Sequence, residues 1–203
     1  MEQHVTIIPM SDSSERITQQ DVSPTVLPDA FLTSDVAFAA KHFHMPRYDE
    51  LPNVELYRDQ VIEYIEQVLG PLSGCSDGPW LTPSMVNNYV KQRLVPAPVK
   101  KLYGREQIAR LLTICIFKQF LPIDAIARLF RIQKVTYPID VAFDYVSAEI
   151  NNAVDSAFSR HDGMRRDTAS LVTRESLLVR SAAAAFASKV FLMSYLTFAG
   201  YEG

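Results

Sequence analysis

The sequence holds little cysteine, glycine and histidine, and each shortage limits what the protein can be. Its two cysteines, Cys75 and Cys115, lie far apart in the chain, so neither a disulfide framework nor a cysteine metal site is indicated. His42 and His44 have no third ligand at helical spacing and are predicted to be a surface pair. With seven glycines, phosphate-cradling loops are scarce, and no HExxH sequence or nucleophile elbow occurs. We therefore expect a cytosolic protein that is not an enzyme and holds no metal or cofactor.

Apolar runs long enough to cross a membrane are also scarce. The N-terminal residues lack a basic stretch followed by an apolar one, so no secretion signal is predicted. Residues 177–199 are apolar, but Arg180 and Lys189 interrupt them, and a central lysine costs about 2.5 to 3.5 kcal/mol on insertion into a bilayer. The segment is predicted to be a buried or dimer-forming helix, with no membrane partner.

Charge is distributed unevenly along the chain, although the formal net charge is only −3. Residues 81–134, named here the basic block, hold ten basic and two acidic residues, a net charge of +8. Residues 1–80 carry −9 and residues 135–203 carry −2. A cationic island between acidic segments indicates an interaction with a polyanion such as nucleic acid.

Periodicity predicts a mainly α fold in three parts: a mobile N-terminal arm (1–44), a DNA-binding domain (45–134) and a helical dimerisation or effector region (135–203). The arm is given one strand at residues 5–8 and a short helix after Ser34. Further helices are predicted to begin at Val54 and end before Gly70, and to cover residues 82–92, 105–120, 123–130, 138–158 and 173–198. Residues 72–80 and the segment from Ser159 to Asp167 are predicted to be loops.

The helix predicted over residues 82–92 has two different faces. Thr82 and Pro83 form a favourable helix start. Four polar residues, named here the polar row, share one face: Ser84, Asn87, Asn88 and Lys91. Asparagine can pair with adenine in the major groove, and lysine can reach guanine or phosphate, so the row suits a recognition helix. A solvated helix face is polar as well, and the row taken alone favours that ordinary interpretation.

A basic β element directly follows this helix. Pro96 and Pro98 prevent the helix from continuing, and residues 100–103 (KKLY) are predicted to form a strand or a hairpin edge. Cations on such an element can lie along the phosphate backbone and supply affinity that does not depend on sequence. A short polar helix followed by a basic hairpin predicts a winged helix-turn-helix.

Two family resemblances add to this prediction. Residues 87–130, NNYVKQRLVPAPVKKLYGREQIARLLTICIFKQFLPIDAIARLF, resemble the DNA-binding half of MerR-type regulators. Tyr89 matches their helix aromatic, Leu94-Val95-Pro96 their Leu-Leu-Pro, and Lys101-x-Tyr103 their Arg-x-Tyr. The sequence departs from that pattern where Asn87-Asn88 replaces Arg-Tyr and Arg93 replaces glycine. The resemblance implies a MerR-like winged helix-turn-helix, and the candidate DNA-binding residues are Ser84, Asn87, Asn88, Lys91, Arg93, Lys100, Lys101, Tyr103 and Arg105.

The phrases MPRYDELP, ELYRDQVIEYIEQVL, LTPSMVNNYVKQRLVPAPVKKLYGREQIARLL and IFKQFLPIDAI are similar to a bacterial family known as domain of unknown function 1836. This second resemblance covers residues 45–130 and implies a bacterial protein with the same MerR-like fold. It implies no reaction and no ligand.

The C-terminal helix at residues 173–198 is apolar around most of its circumference and must be buried. It can pack on its own chain or pair with a second subunit, and we expect a homodimer because two-fold regulators match palindromic DNA. An unknown small-molecule effector between the helices stays open. The sequence thus predicts a dimeric regulator that binds double-stranded DNA. The alternative is a protein-interaction adaptor that uses the same scaffold on an acidic partner.

Overall fold

A computed structural model of the protein describes residues 29–76, 78–159 and 172–200. Within these ranges the chain forms eight α-helices, one 3₁₀ helix and one two-stranded antiparallel sheet, so the mainly α prediction is confirmed. The strand predicted at residues 5–8 lies outside the described residues. Of the loop predicted from Ser159 to Asp167, only Ser159 is described.

Two short helices, α1 (Asp29–Leu32) and α2 (Asp35–Lys41), fall within the predicted arm over residues 1–44. The short helix expected after Ser34 is present, and the Ser34 hydroxyl accepts a hydrogen bond from the Ala37 N–H at 3.3 Å. Phe31 is fully buried, with its ring against Phe158 and Phe191. Residues 29–44 thus contribute to the core of the described structure.

The strand β1 (Leu56–Tyr57) precedes α3 (Arg58–Leu69). The prediction that a helix begins at Val54 is therefore wrong. Leu56 and Tyr57 pair instead with a second strand, β2 (Leu102–Tyr103), and the Gln60 side chain accepts a hydrogen bond from the Tyr57 N–H at 2.9 Å. A 3₁₀ helix at Gly70–Cys75 occupies part of the predicted loop.

The helix α4 (Pro83–Lys91) leads through β2 to α5 (Arg105–Phe117). Helix α5 ends three residues before the predicted end at residue 120, and from Ile108 onward every residue of it except Arg110 is buried. The next helix, α6 (Ile123–Thr136), is longer than the predicted residues 123–130. Its last turns lose the apolar period, as the highly exposed Val135 illustrates, yet no residue interrupts the helix before Pro138.

The pair α7 (Ile139–Ala157) and α8 (Arg174–Ala199) forms the most extensive helix–helix contact of the described structure. Phe186 and Val190 of α8 are fully buried, so this helix packs on its own chain. Side chains of α7 also bind the segment before β1: the Ser147 hydroxyl donates to the Met45 carbonyl at 2.6 Å, and Asp144 accepts from the Tyr48 N–H at 2.6 Å. These bonds join α7 directly to the N-terminal half of the fold.

One described helix, α8, has the length and composition of a membrane span, and 33% of its 18-residue apolar segment is buried. A single such helix is weak evidence, since the core helix of a soluble protein passes the same test.

Candidate nucleic-acid interface

The helix α4 has the two faces that its sequence predicts. The Thr82 side chain accepts a hydrogen bond from the Met85 N–H at 3.2 Å, which caps the helix start. Val86 and Tyr89 are buried on the inner face. Every residue of the polar row is exposed on the outer face: Ser84, Asn87, Asn88 and Lys91. The row therefore presents its hydrogen-bonding groups to solvent.

The helix α4 ends in a turn whose left-handed residue is an arginine, where glycine is usual. Arg93 has a φ of 59°, in the left-handed region. Its N–H donates to the Val90 carbonyl at 3.0 Å, and the Leu94 N–H donates to the Tyr89 carbonyl at 2.9 Å. These two bonds are those of a Schellman motif, in which the left-handed position usually holds glycine. Because Leu94 is buried, the turn is anchored while the Arg93 side chain stays exposed.

The basic β element is a two-residue hairpin. Val99 and Leu102 exchange backbone hydrogen bonds of 3.1 and 2.9 Å, and the residues between them have φ values of 50° (Lys100) and 68° (Lys101). Positive φ at both central positions is the pattern of a type I′ turn, which favours Asn-Gly. Both lysines are thus exposed turn residues of a hairpin, and of the predicted strand or hairpin edge over residues 100–103 only Leu102–Tyr103 is strand.

Two predicted contact residues, Tyr103 and Arg105, are less exposed than the polar row and the hairpin lysines. Tyr103 is 5% exposed and pairs with Leu56 across the sheet, and burial raises the pKa of its phenol. Arg105 is half-buried, and its guanidinium donates to the carbonyls of Leu51 at 3.2 Å and Pro52 at 3.4 Å. Tyr103 thus anchors the hairpin, and Arg105 ties down the segment before β1.

The basic block divides into internal and exposed cations. Besides Arg105, the Arg110 guanidinium pairs with Glu106 at 3.1 Å, and Lys118 donates to the Trp80 carbonyl at 2.6 Å. Burial lowers the pKa of Lys118. The remaining seven cations of the block are exposed: Lys91, Arg93, Lys100, Lys101, Arg128, Arg131 and Lys134.

Three of the exposed cations, Arg128, Arg131 and Lys134, lie on α6 and were not predicted as contact residues, although the charge count of the block contains them. The start of α6 lies beside the end of α4. Gln92 and Leu94 line one surface depression together with four residues at the beginning of α6: Pro122, Ile123, Asp124 and Ala127. The α6 cations thus extend from a helix that begins next to the end of α4.

His42 and His44 have neighbours other than metal ligands. His42 stacks on Phe38, and His44 lies 3.1 Å from a Glu50 carboxylate oxygen. Within the ranges that the structure describes, no three His, Cys, Asp or Glu side chains form a group that could hold a metal ion.

Comparison with known proteins gives one match, to a protein-family model over residues 46–156. No curated protein and no solved structure matches the chain. The matched residues contain β1, α3 to α6 and nearly all of α7, including the whole basic block. Since the match covers more than half of the sequence, the protein belongs to the family described as Domain of unknown function (DUF1836).

Proposed function

We propose that the protein is a cytosolic, DNA-binding transcriptional regulator with a MerR-like winged helix-turn-helix. In this proposal α4 enters the major groove and reads bases with Asn87 and Asn88, while Ser84 and Lys91 contact bases or phosphate. The hairpin tip, Lys100-Lys101, is the wing and lies along the phosphate backbone.

The proposal rests on the positions at which non-glycine residues adopt a left-handed backbone conformation. Among the described residues, the only non-glycine residues with positive φ are Arg93, Lys100 and Lys101. A left-handed conformation costs an ordinary residue about 1 kcal/mol or more, and glycine or asparagine would avoid most of that cost. All three positions hold an exposed cation instead, and all three follow the polar row within ten residues of the sequence. A cation that occupies a position where glycine or asparagine would be more stable is expected where that cation binds a partner.

The exposed charge of the block also favours a polyanion. Seven cations of the block reach solvent, and of its two acids Glu106 is paired with Arg110. Each phosphate neutralised by a cation releases a condensed counterion, which gives salt-sensitive affinity for any duplex.

A homodimer through α8 is part of the proposal. Leu178, Ala185 and Leu192 recur every seven residues along α8 and are all exposed, whereas Phe186 and Val190 of the same helix are fully buried. A seven-residue apolar repeat suits a second helix. Replacing Leu192 with glutamate should shift the mass in solution from dimer to monomer, measured by light scattering. Glutamate at Val135, an exposed apolar residue of α6, serves as the control, and a wild-type protein that is monomeric at all concentrations would refute the dimer.

The test of DNA binding compares three variants by fluorescence anisotropy across a salt series, on unrelated duplexes and on a specific duplex that the wild-type protein has selected from genomic fragments. Lys100→Glu with Lys101→Glu should weaken binding to every sequence, and Asn88→Ala should weaken only the specific duplex. The control is Arg47→Glu, which changes an exposed cation outside the basic block. Absence of binding to any duplex near 50 mM salt would refute the proposal, and salt-sensitive binding to an acidic protein instead would favour an adaptor.

A further inference from the structure

A cavity of about 370 Å³ lies between α5, α6, α7 and the first turns of α8. Its wall is mainly apolar, with side chains such as Phe117, Leu129, Phe143 and Val179. Small-molecule sites in proteins are apolar concavities of roughly 300 to 1,000 Å³ that carry a few polar groups for orientation. The cavity matches that description at the small end of the range.

One polar group in the wall lacks a partner. Among the described residues, the Oε1 atom of Gln133 is buried without a hydrogen bond. The other end of the same amide is occupied, because Gln133 Nε2 donates to the Tyr137 carbonyl at 2.8 Å. That bond fixes the amide so that its free group is an acceptor. A buried acceptor in a cavity wall favours a ligand with a hydrogen-bond donor.

The charges in the wall have partners already. Arg110 is paired with Glu106 at 3.1 Å, and its guanidinium lies 5.2 Å from the centre of the Phe130 ring. The Glu175 carboxylate accepts from the Arg174 guanidinium. A charged ligand would have to compete with these pairs, whereas a neutral one would not.

We infer that this cavity binds a small, neutral, mainly apolar molecule that donates one hydrogen bond to Gln133, and that α6 transmits binding to the end of α4. The second part rests on the proposed function. The C-terminal half of α6 forms part of the cavity wall through Leu129 and Gln133, and its first turns line one surface depression together with Gln92 and Leu94. Only Ile126 of α6 is fully buried, so a ligand against this helix changes a large share of its contacts.

The first test measures ligand binding alone, by titration calorimetry on the whole protein. Two alcohol–ether pairs are the probes: 1-naphthol with 1-methoxynaphthalene, and 1-octanol with its methyl ether. Each alcohol should bind about five- to tenfold more tightly than its ether, which corresponds to one hydrogen bond. Gln133→Met should remove this difference, and Ala142→Phe, which fills the cavity, should abolish binding of all four compounds. Unchanged helical circular dichroism confirms that both variants fold.

Failure of both alcohols to bind with a Kd below 1 mM would overturn the ligand site, as would an unchanged alcohol preference in Gln133→Met. The second test adds saturating 1-naphthol to the duplex titration near 50 mM salt. The Kd for DNA should change at least threefold, and DNA should change the Kd for 1-naphthol by the same factor. A bound alcohol with no effect on DNA affinity would overturn the transmission through α6. Absence of DNA binding with intact alcohol binding would refute the proposed function and leave the ligand site supported.

Discussion

Replacing the hairpin tip with its preferred turn sequence, Lys100→Asn with Lys101→Gly, should stabilise the protein and weaken DNA binding. Both lysines have positive φ, at 50° and 68°. Asn-Gly is the favoured pair for such a two-residue hairpin. Removing the conformational cost of two left-handed lysines stabilises the folded state by about 2 kcal/mol. The greater freedom of glycine in the unfolded chain offsets about half of this gain. A net gain of about 1 kcal/mol should raise Tm by about 2 to 4 °C for a chain of this size.

The same double substitution removes two cations from the proposed wing. Each phosphate contact contributes about 0.9 to the slope of log K against log salt, so the slope should become less steep by about 1.8. At 0.15 M salt, and relative to a 1 M reference, this slope difference corresponds to an affinity loss of about 30-fold. A variant that is more stable and binds less tightly would separate the folding role of the turn from its binding role.

Urea unfolding followed by circular dichroism measures the stability, and anisotropy titrations from 50 to 300 mM salt measure the slope. Lys41→Gln with Arg47→Gln is the matched control, because it removes the same charge from exposed residues outside the basic block. The control should leave the salt slope unchanged. A midpoint that falls in Lys100→Asn with Lys101→Gly would refute the strained-turn argument, and an unchanged slope would refute the phosphate contacts.

Three further predictions follow from single contacts. Arg93→Gly should stabilise the protein by about 0.5 to 1 kcal/mol, since glycine suits the left-handed helix end, and a fall in the urea midpoint would contradict this. Thr82→Ala should cost about 1 kcal/mol in urea unfolding, because it removes the cap on Met85, and an unchanged midpoint would count against the cap. Burial raises the pKa of Cys115 to about 12 and of Cys75 to about 11, so both thiols stay protonated at pH 8 in the folded protein. Mass spectrometry should then find iodoacetamide adducts in urea but not in buffer, and equal labelling rates would argue against this burial.

The part of the site that could be predicted from sequence is the part set by local rules. Thr82 and Pro83 define a helix start by capping chemistry, and the 3.6-residue period separates the polar row from buried Val86 and Tyr89. The left-handed positions could not be predicted in the same way. Lysine and arginine carry no preference for positive φ, so the backbone of Arg93 is fixed by its bonds to α4 and by buried Leu94.

The ends of two helices depend on tertiary contacts that the local sequence pattern does not contain. Val54 and Tyr57 fit a helical period, yet they are exposed because β1 forms to pair with β2, some forty-five residues later. The extension of α6 to Thr136 also could not be read from the local apolar pattern. Its last turns have little apolar periodicity, and one side of them forms the wall of a cavity, where Gln133 and Thr136 lie beside apolar residues.

The charge count of the basic block overstates the surface that can meet a polyanion. Arg105, Arg110 and Lys118 contribute nearly a third of its basic residues, yet they bind Leu51, Glu106 and Trp80. These bonds hold the segment before β1 to α5, brace α5 itself and join α5 to the loop before α4, so all three side chains are engaged within the protein. Seven exposed cations remain, which limits the salt slope of the block to about −6 for each protomer. A steeper measured slope would require cations from outside residues 81–134, or a second protomer on the same duplex.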